Sequence, residues 1–441
     1  KMGLKERNNI QLQTEHYKTI WCFYAIAMIG CWLLTGHFAF GYSGLFAIND
    51  TISGFLLIIF SFLSFSYKRL WAPWACAIVA IWIQFAPLLF WTHSAVIYAN
   101  DTLTGALALA LAILVPGMPG KLPDYGPSIP PGWSYNPSSW PQRVPIVILA
   151  MIGLFISRYL SAYQLGFIDS VWDPFFPNGT LDVITSTISK DFPVSDAGLG
   201  AFAYTLEVLL ALKGDERRWR TMPWMALLFC ILVVPLSLVS IILIILQPVA
   251  VGHWCTLCLF TAFCMMVMMA FAIDEMVAVL QLLSQGRKQF WSLFWNGIET
   301  IGREDTRTPL MDESWKKIFP AMAWGLNVPI NLLLSALLGL WLMVTPWIFD
   351  LSTFLADGDH IVGALVIVTS VISMAEVVRR ARHLNFIFGA YIILSTIDYF
   401  FEPAHLLSVF NHVVVGGFLI LLSFPRGKIS ESYGAWNRFV R

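Results

Sequence analysis

Residues 223–246 read PWMALLFCILVVPLSLVSIILIIL, an apolar run without one charged side chain. A helix needs about 20 mostly apolar residues to cross a bilayer, so this run is long enough to span one. The whole chain follows the same pattern, because 58% of its 441 residues are hydrophobic and 12% are charged. Ordinary soluble domains carry about 25% charged residues. We therefore predict an all-α, polytopic protein whose main partner is the lipid bilayer.

The same composition excludes other classes of protein. With so few charges a soluble enzyme could not cover its surface, and a disordered chain would be far less apolar. The 27 basic residues balance 27 acidic ones, so there is no basic surface for nucleic acid.

Twelve apolar segments are candidate membrane spans. They are residues 20–38, 47–66, 71–91, 98–116, 145–163, 198–213, 223–246, 254–280, 322–345, 361–378, 384–400 and 406–424. If the N-terminus is cytoplasmic and the spans alternate, all basic residues except Arg158 and Lys190 fall on the cytoplasmic side. Basic loops are retained on that side, so we predict about twelve spans with both termini in the cytoplasm.

Two segments between the spans divide the chain. The first is a linker rich in Pro and Gly, which we expect to be extended and cytoplasmic. The second contains Phe290, Trp291, Phe294 and Trp295 at helical spacing, which predicts an interfacial helix. The resulting divisions are a four-helix block at 1–116, the first linker at 117–144, a four-helix block at 145–280, the interfacial linker at 281–321 and a four-helix block at 322–441.

The two outer blocks share a short motif at the outer ends of four spans. Its copies are Asn49-Asp50-x-x-x-Gly54, Asn100-Asp101-x-x-x-Gly105, Gly358-Asp359-x-x-x-Gly363 and Asn411-His412-x-x-x-Gly416. We interpret the Asn or Asp as a cap on the first turn of each helix, and the Gly as a site of close helix contact. A proline (Pro87, Pro346 or Pro403) ends or kinks the preceding span in three copies. These features predict a structural role.

Thr345-Pro346-Trp347, together with looser copies elsewhere, resembles the signature of the SPW-repeat membrane family. The resemblance covers both outer blocks and implies no particular chemistry.

The middle block carries a possible redox motif, His253-Trp254-Cys255-Thr256-Leu257-Cys258, at the outer mouth of span 8. Two thiols one helical turn apart can exchange with a disulfide, and a helix N-terminus favours the thiolate of the first. The alternatives are two packing cysteines or half of a metal site with His253. The preceding outer loop, 164–197, has Ile184, Ile188 and Phe192 every four residues, which predicts an amphipathic helix over the bundle mouth.

At this point the middle block resembles the vitamin K epoxide reductase family. The resemblance rests on Trp254-Cys255-Thr256-Leu257-Cys258-Leu259, on Val183-Ile184-Thr185-Ser186 through Phe192-Pro193, and on Gly200-Ala201-Phe202-Ala203-Tyr204-Thr205-Leu206-Glu207. It implies a four-helix bundle around a quinone, menaquinone or ubiquinone, at the outer face. Cys255 and Cys258 would be catalytic, with Cys258 nearer the quinone. The implied pocket residues are Ser186, Phe192, Asp196, Tyr204 and Trp254.

The sequence departs from the family in the loop. Residues 164–197 contain no cysteine, although the family places a thiol pair there, near Thr180 in this chain. Either an external thioredoxin-like thiol protein meets Cys255 and Cys258 directly, or the site keeps its shape without turnover.

Two acids near the site have open roles. Glu207 could donate protons to the quinone, or be protonated and bonded to a neighbouring helix. Asp196 could cap its helix or bond a quinone carbonyl. The outer histidines lack metal-ligand spacing, so we predict no metal. We expect Asp50 and Asp101 to lie too far outside for an ion pathway.

Our leading hypothesis is a membrane thiol–quinone oxidoreductase in a bacterial inner membrane, with its active face periplasmic. The alternative is a non-catalytic scaffold or accessory subunit of a larger membrane complex. A transporter is the third possibility, because twelve spans with duplicated blocks suit one.

Overall fold

The computed structural model describes residues 4–115, 126–286, 289–298, 301–351, 353–397 and 406–440. Within these ranges the regular secondary structure is helical, and β-structure is limited to isolated β-bridges, such as the one between Ile129 and Arg303. The chain is an all-helical membrane protein with multiple spans. The two ends of the helix bundle carry different groups of residues. The disulfide end carries Cys255 and Cys258, and the basic end carries Arg143 and Arg218.

The first block consists of one polar helix and four apolar helices in two hairpins. They are α1 (Leu4–Lys18), α2 (Trp21–Phe40), α3 (Leu45–Leu63), α4 (Ala72–Leu89) and α5 (Ala95–Leu114). Helix α2 packs on α3, and α4 packs on α5.

The middle block holds four long helices, two short ones in the loop between the first and second of them, and one short one before the third. Its helices are α6 (Trp140–Gln164), α7 (Gly179–Ile184), α8 (Thr187–Lys190), α9 (Asp196–Leu212), α10 (Arg218–Thr221), α11 (Pro223–Leu246) and α12 (Thr256–Gln285). Helix α6 packs on α9 and α12, and α11 packs on α12.

The last part of the chain repeats the hairpin arrangement after two short helices. It contains α13 (Phe290–Asn296), α14 (Trp315–Met322), α15 (Ile330–Phe349), α16 (Thr353–Ile372), α17 (Leu384–Leu394), α18 (Leu406–Ser423) and α19 (Asn437–Val440). The expected helix over Phe290–Trp295 is present as α13, and Trp291 on it is exposed.

Within the described residues, ten helices are long and apolar enough to cross a membrane. Helices α9 and α17, at the other two predicted spans, have 17 and 11 residues, so the count of twelve stays a prediction. Two predicted starts are wrong. The span at 322–345 begins only at Ile330, after the extended Pro329, and the span at 361–378 begins at Thr353, because its first turns carry acids that a hydropathy reading excludes. Lys121, Pro403 and His405 lie outside the described residues.

The repeated glycines allow helices to touch. A Cβ added at Gly54 would lie 2.6 Å from the carbonyl oxygen of Gly30, and one added at Gly416 would lie 2.6 Å from that of Gly389. No side chain fits at such distances, so these glycines set the close approach of α2 to α3 and of α17 to α18.

The expected capping role of the motif Asn and Asp is wrong. Asn49 and Asn100 lie inside α3 and α5, because these helices begin about one turn earlier, at Leu45 and Ala95. Their side chains join hairpins instead. Trp82 of the second hairpin donates to Asn49 of the first at 2.9 Å, and Trp32 of the first donates to Asn100 of the second at 2.8 Å. Trp341 and Asn411 repeat this bond at 2.9 Å in the last block.

The described part of the first linker is residues 126–144. Residues 140–144 form the start of α6, and residues 126–139 belong to a buried core at the basic end rather than to a free connector. Trp133 donates to Gln281 of α12 at 3.1 Å, and its ring packs edge-on against Tyr433. Tyr135 donates a hydrogen bond to Asp274. The linker, α12 and the C-terminal segment around Tyr433 therefore pack together as one unit.

Candidate functional site

Cys255 and Cys258 form a disulfide at the start of α12, with their Cα atoms 5.2 Å apart. Cys255 precedes the first helical residue, and its Sγ accepts a hydrogen bond from the backbone N–H of Cys258 at 3.1 Å. The backbone N–H of Cys255 donates to Oε1 of Gln247 at 2.9 Å. The motif is thus held both by its own helix and by the π-helical turn Gln247–Val251 that follows α11.

A cavity of about 170 Å³ lies beside the disulfide, among α6, α9, α11, α12 and the loop that joins α6 to α9. Aliphatic side chains of α11, such as Leu236 and Leu243, form much of its wall. Cys258 lines this cavity, whereas Cys255 is fully buried in a cluster with Ile184 and Leu257. The two sulfur atoms therefore have unequal access.

Four predicted pocket residues line the cavity together with Cys258. They are Ser186, Phe192, Asp196 and Tyr204. Asp196 accepts a hydrogen bond from the backbone N–H of Ala197 at 2.8 Å, so it binds its own first turn and also borders the cavity. The hydroxyl of Tyr204 donates to the carbonyl oxygen of Thr261 on α12 at 3.2 Å.

Two other predicted site residues lie away from the cavity wall. The ring of Trp254 packs against Phe176 in the loop and against His360 of α16, with centroids 6.5 and 5.5 Å apart. Glu207 is fully buried, and neither of its carboxyl oxygens has a hydrogen-bond partner among the described residues. It lies one turn beyond Tyr204 on α9, toward the basic end.

The expected amphipathic helix over the bundle mouth is broken into α7 and α8. The break falls at Thr185 and Ser186, because the Ser186 side chain accepts from the backbone N–H of Ser189 at 3.3 Å and starts α8 anew. Ser186 and Phe192 still reach the cavity from this broken segment.

Gln164, the last residue of α6, was not predicted as a site residue. Its amide donates to the carbonyl oxygen of Ile184 at 3.1 Å and to Ser189 at 2.9 Å, and it also donates to Asp196. One side chain therefore ties the loop to two helices. An amide at the end of an apolar run is the only sequence signal for it. Gln247 was missed too, although it borders the cavity and fixes Cys255.

Asp173 holds the loop against the disulfide motif. Its carboxylate accepts from the backbone N–H groups of Phe176 at 3.0 Å and Thr180 at 2.8 Å, and from the hydroxyl of Thr256. Partial burial opposes the charged form, but these hydrogen bonds outweigh it and lower the pKa of Asp173 to about 2. Thr180, at the place where the loop thiols were expected, is buried.

His253 contacts an acid of the loop. Its Nδ1 lies 3.5 Å from the carboxylate of Asp182 in α7, on an exposed surface. Within the ranges that the structure describes, no three His, Cys, Asp or Glu side chains are grouped to hold a metal ion.

Two segments of the chain match known protein families. Residues 144–273 match the Vitamin K epoxide reductase family. The match runs from α6 into α12, and so contains the cavity and the disulfide. Residues 330–425 match the SPW repeat domain, so both predicted resemblances are confirmed, over these ranges. No curated protein and no solved structure matches the chain.

The two matched segments differ in what they carry. The reductase-like segment matches a membrane family that generally uses a quinone as electron partner, and it contains the Cys255–Cys258 pair. The SPW segment covers α15 to α18. That residues 1–116 form a further SPW-like block stays a prediction, which the repeated Trp–Asn and Gly–Gly contacts support.

Proposed function

We propose that the reductase-like segment is a thiol–quinone oxidoreductase in which Cys255 and Cys258 deliver electrons to a quinone in the cavity. The observation that carries the proposal is that Cys258, one half of a disulfide, lines an apolar cavity that the loop borders. This is where the reactive sulfur of such an enzyme has to be.

The residues present fit a quinone. An apolar cavity of about 150 Å³ can hold a benzene ring, and this one measures about 170 Å³. Ser186, Asp196, Tyr204 and Gln247 give it polar groups at separate points, and Phe192 offers a ring for stacking. These residues would bind and orient the quinone head.

The chemistry follows from the position of the pair at a helix start. Four backbone N–H groups at the first turn of α12 stabilise a thiolate there. Oxidation of the two thiols to the disulfide releases two electrons and two protons, which reduce the quinone to its hydroquinone. Glu207, buried one turn beyond Tyr204, is our candidate proton donor; it would pass one proton toward the quinone and be re-protonated by one of the two thiol protons.

The electron donor in this proposal is an external thioredoxin-like thiol protein, because residues 164–197 supply no cysteine. Cys255 is fully buried beneath the loop. The donor therefore reaches the disulfide only when the loop between α6 and α9 moves aside. We also propose that the disulfide end faces the periplasm of a bacterial inner membrane, where disulfides persist.

The test is quinone-dependent oxidation of the protein's thiols in lipid nanodiscs. Pre-reduced protein should lose two thiols per chain when menaquinone or ubiquinone is added, and Cys258→Ala should abolish this loss. Cys31→Ala removes an exposed cysteine far from the cavity and should leave the rate unchanged. An unchanged rate in Cys258→Ala would refute the redox role.

A second function is favoured by one observation, the full burial of Cys255 in a chain without loop thiols. Such a site could hold a lipid or quinone without turnover, as part of a scaffold. It predicts a disulfide that neither quinone nor an external thiol protein changes, together with stable co-purification of other subunits.

A further inference from the structure

The two outer blocks place polar residues at equivalent points between their hairpins. In the last block this point is occupied by Asp359 and His412, each of which directly follows the first position of its repeat motif. Nε2 of His412 lies 2.7 Å from Oδ1 of Asp359, and both side chains are buried. Nδ1 of His412 lies 2.6 Å from the carbonyl oxygen of Ser408, which can only accept. One proton therefore lies in the contact between His412 and Asp359.

The equivalent residues of the first block are Asp50 and Asp101. Asp50 corresponds to Asp359, because each accepts a hydrogen bond from a hydroxyl near the end of the preceding span, from Tyr42 and Thr345 respectively. Asp101 corresponds to His412. The first block thus has a second carboxyl where the last block has an imidazole.

The crossed Trp–Asn bonds join the two hairpins at the residues next to both acids. Trp82 binds Asn49, the neighbour of Asp50, and Trp32 binds Asn100, the neighbour of Asp101. Each Asn also donates to the acid that follows it, at 3.1 and 3.0 Å. Asp50 and Asp101 lie within electrostatic reach of each other.

The pair is buried and one of its oxygens has no partner. Both side chains are 0% exposed, and Oδ2 of Asp101 accepts no hydrogen bond from the described residues. Among the described residues, Tyr42 and His37 are the other titratable groups that interact with the pair, and Arg158 of α6 donates to Thr102, the neighbour of Asp101, at 3.2 Å. Nothing at this place takes the part that His412 plays in the last block.

We propose that Asp50 and Asp101 hold one proton between them, and that the first block therefore contains a proton-binding site inside the membrane. Two buried carboxyl groups within electrostatic reach of each other cannot both be ionised in a medium of low polarity. A proton on Oδ2 of Asp101 would neutralise the one carboxyl oxygen of the pair that accepts no hydrogen bond from the described part of the chain.

The site lies deeper than its sequence position suggested. Asp50 and Asp101 are the sixth and seventh residues of α3 and α5, about 8–9 Å from the helix starts at a rise of about 1.5 Å per residue. Ionisable groups at such depth are costly and are typical of proton-binding sites. The proposal does not depend on the thiol–quinone reaction.

The test is infrared difference spectroscopy of the full chain in lipid nanodiscs at neutral pH. The wild-type minus Asp101→Asn spectrum should contain the carbonyl stretch of one protonated carboxylic acid. Asp359→Asn is the matched control, and its difference spectrum should contain carboxylate bands only, because His412 holds that proton. The bands of other buried acids, such as Glu207, are the same in the wild type and the variant, so they cancel in both difference spectra.

A second variant controls for misfolding of Asp101→Asn. Asp101→His recreates the pair of the last block, so it should fold, lose the same protonated-acid band and keep the wild-type melting temperature. Absence of that band from both differences at position 101 would overturn the proposal. A rise of the wild-type melting temperature with Na⁺, in the absence of the band, would assign the site to a metal cation and would overturn it equally.

Discussion

At the residue scale, the sequence predicted the side chains that carry the chemistry, but it did not predict the residues that hold them in place. The spacing of the two cysteines and the resemblance around Tyr204 pointed to Cys258 and Tyr204, which the structure brings to one cavity. Gln164 and Gln247 could not be predicted in the same way. An amide has no chemical signature of its own, and its partners, such as Ile184 and Cys255, are set by the tertiary fold.

The carboxylate of Asp173 gives the clearest prediction at this scale. Asp173→Ala removes three hydrogen bonds that hold the loop, so a water-soluble phosphine should reduce the Cys255–Cys258 disulfide roughly tenfold faster at neutral pH. Asp169→Ala is the control, because Asp169 is an exposed acid of the same loop. Equal rates for wild type and Asp173→Ala would show that the loop does not limit access.

The same variant has a defined pH dependence. The folded pKa of Asp173 is about 2, below its ordinary value of 3.8. The stabilisation of the loop is therefore complete above pH 4 and is lost as the pH falls through about 2. The ratio of the two reduction rates should fall toward one between pH 4 and pH 2, and a constant ratio would contradict the assignment.

At the element scale, apolar length predicted where helices are, but it did not predict where they begin. Helix α16 starts among acids because Asp359 is bonded inside the protein, which hydropathy cannot show. The loop helix was predicted as one piece and is two, since Ser186 starts a new helix. The repeated Gly predicted close contact correctly, because only packing of backbone on backbone requires that residue.

Adjacent glycines in α18 test the helix contacts. A Cβ at Gly416 would lie 2.6 Å from the carbonyl oxygen of Gly389, whereas nothing lies within 4 Å of one at Gly417. Gly416→Ala should lower the free energy of unfolding by about 1–3 kcal/mol. Gly417→Ala should be neutral or stabilising by up to about 1 kcal/mol. Denaturation in mixed micelles measures both, and equal effects would rule out this contact.

At the scale of the whole molecule, the repeats predict a division into blocks, but they do not predict how the segments of the chain pack together. Gly132 and Gly434 lie 302 positions apart in the sequence, yet a Cβ at Gly132 would lie 2.5 Å from the Cα of Gly434. The Pro-rich composition of the linker indicated a connector. Its packing partners on α12 and in the C-terminal segment are distant in sequence, so composition could not predict them. Packing, not composition, makes it part of the core.

The ion pair of Arg218 with Glu275 tests this shared core. The pair is 2.5 Å apart and buried, and Ser138 of the linker donates to the same carboxylate. Glu275→Gln leaves Arg218 buried without its countercharge and should cost about 3–5 kcal/mol in the free energy of unfolding. The exposed pair of Glu313 with Lys317 is the control, and Glu313→Gln should leave the melting temperature unchanged. A similarly small effect for Glu275→Gln would contradict the structural role of the buried pair.

The central claim is that the dithiol of Cys255 and Cys258 reduces a quinone in the adjacent cavity. Its most direct test is a single turnover, in which pre-reduced protein is mixed with excess quinone and hydroquinone is followed by absorbance. The account predicts one hydroquinone per chain, formed together with the disulfide, and none from Cys258→Ala. No hydroquinone from the wild type, or the same yield from Cys258→Ala, would contradict it.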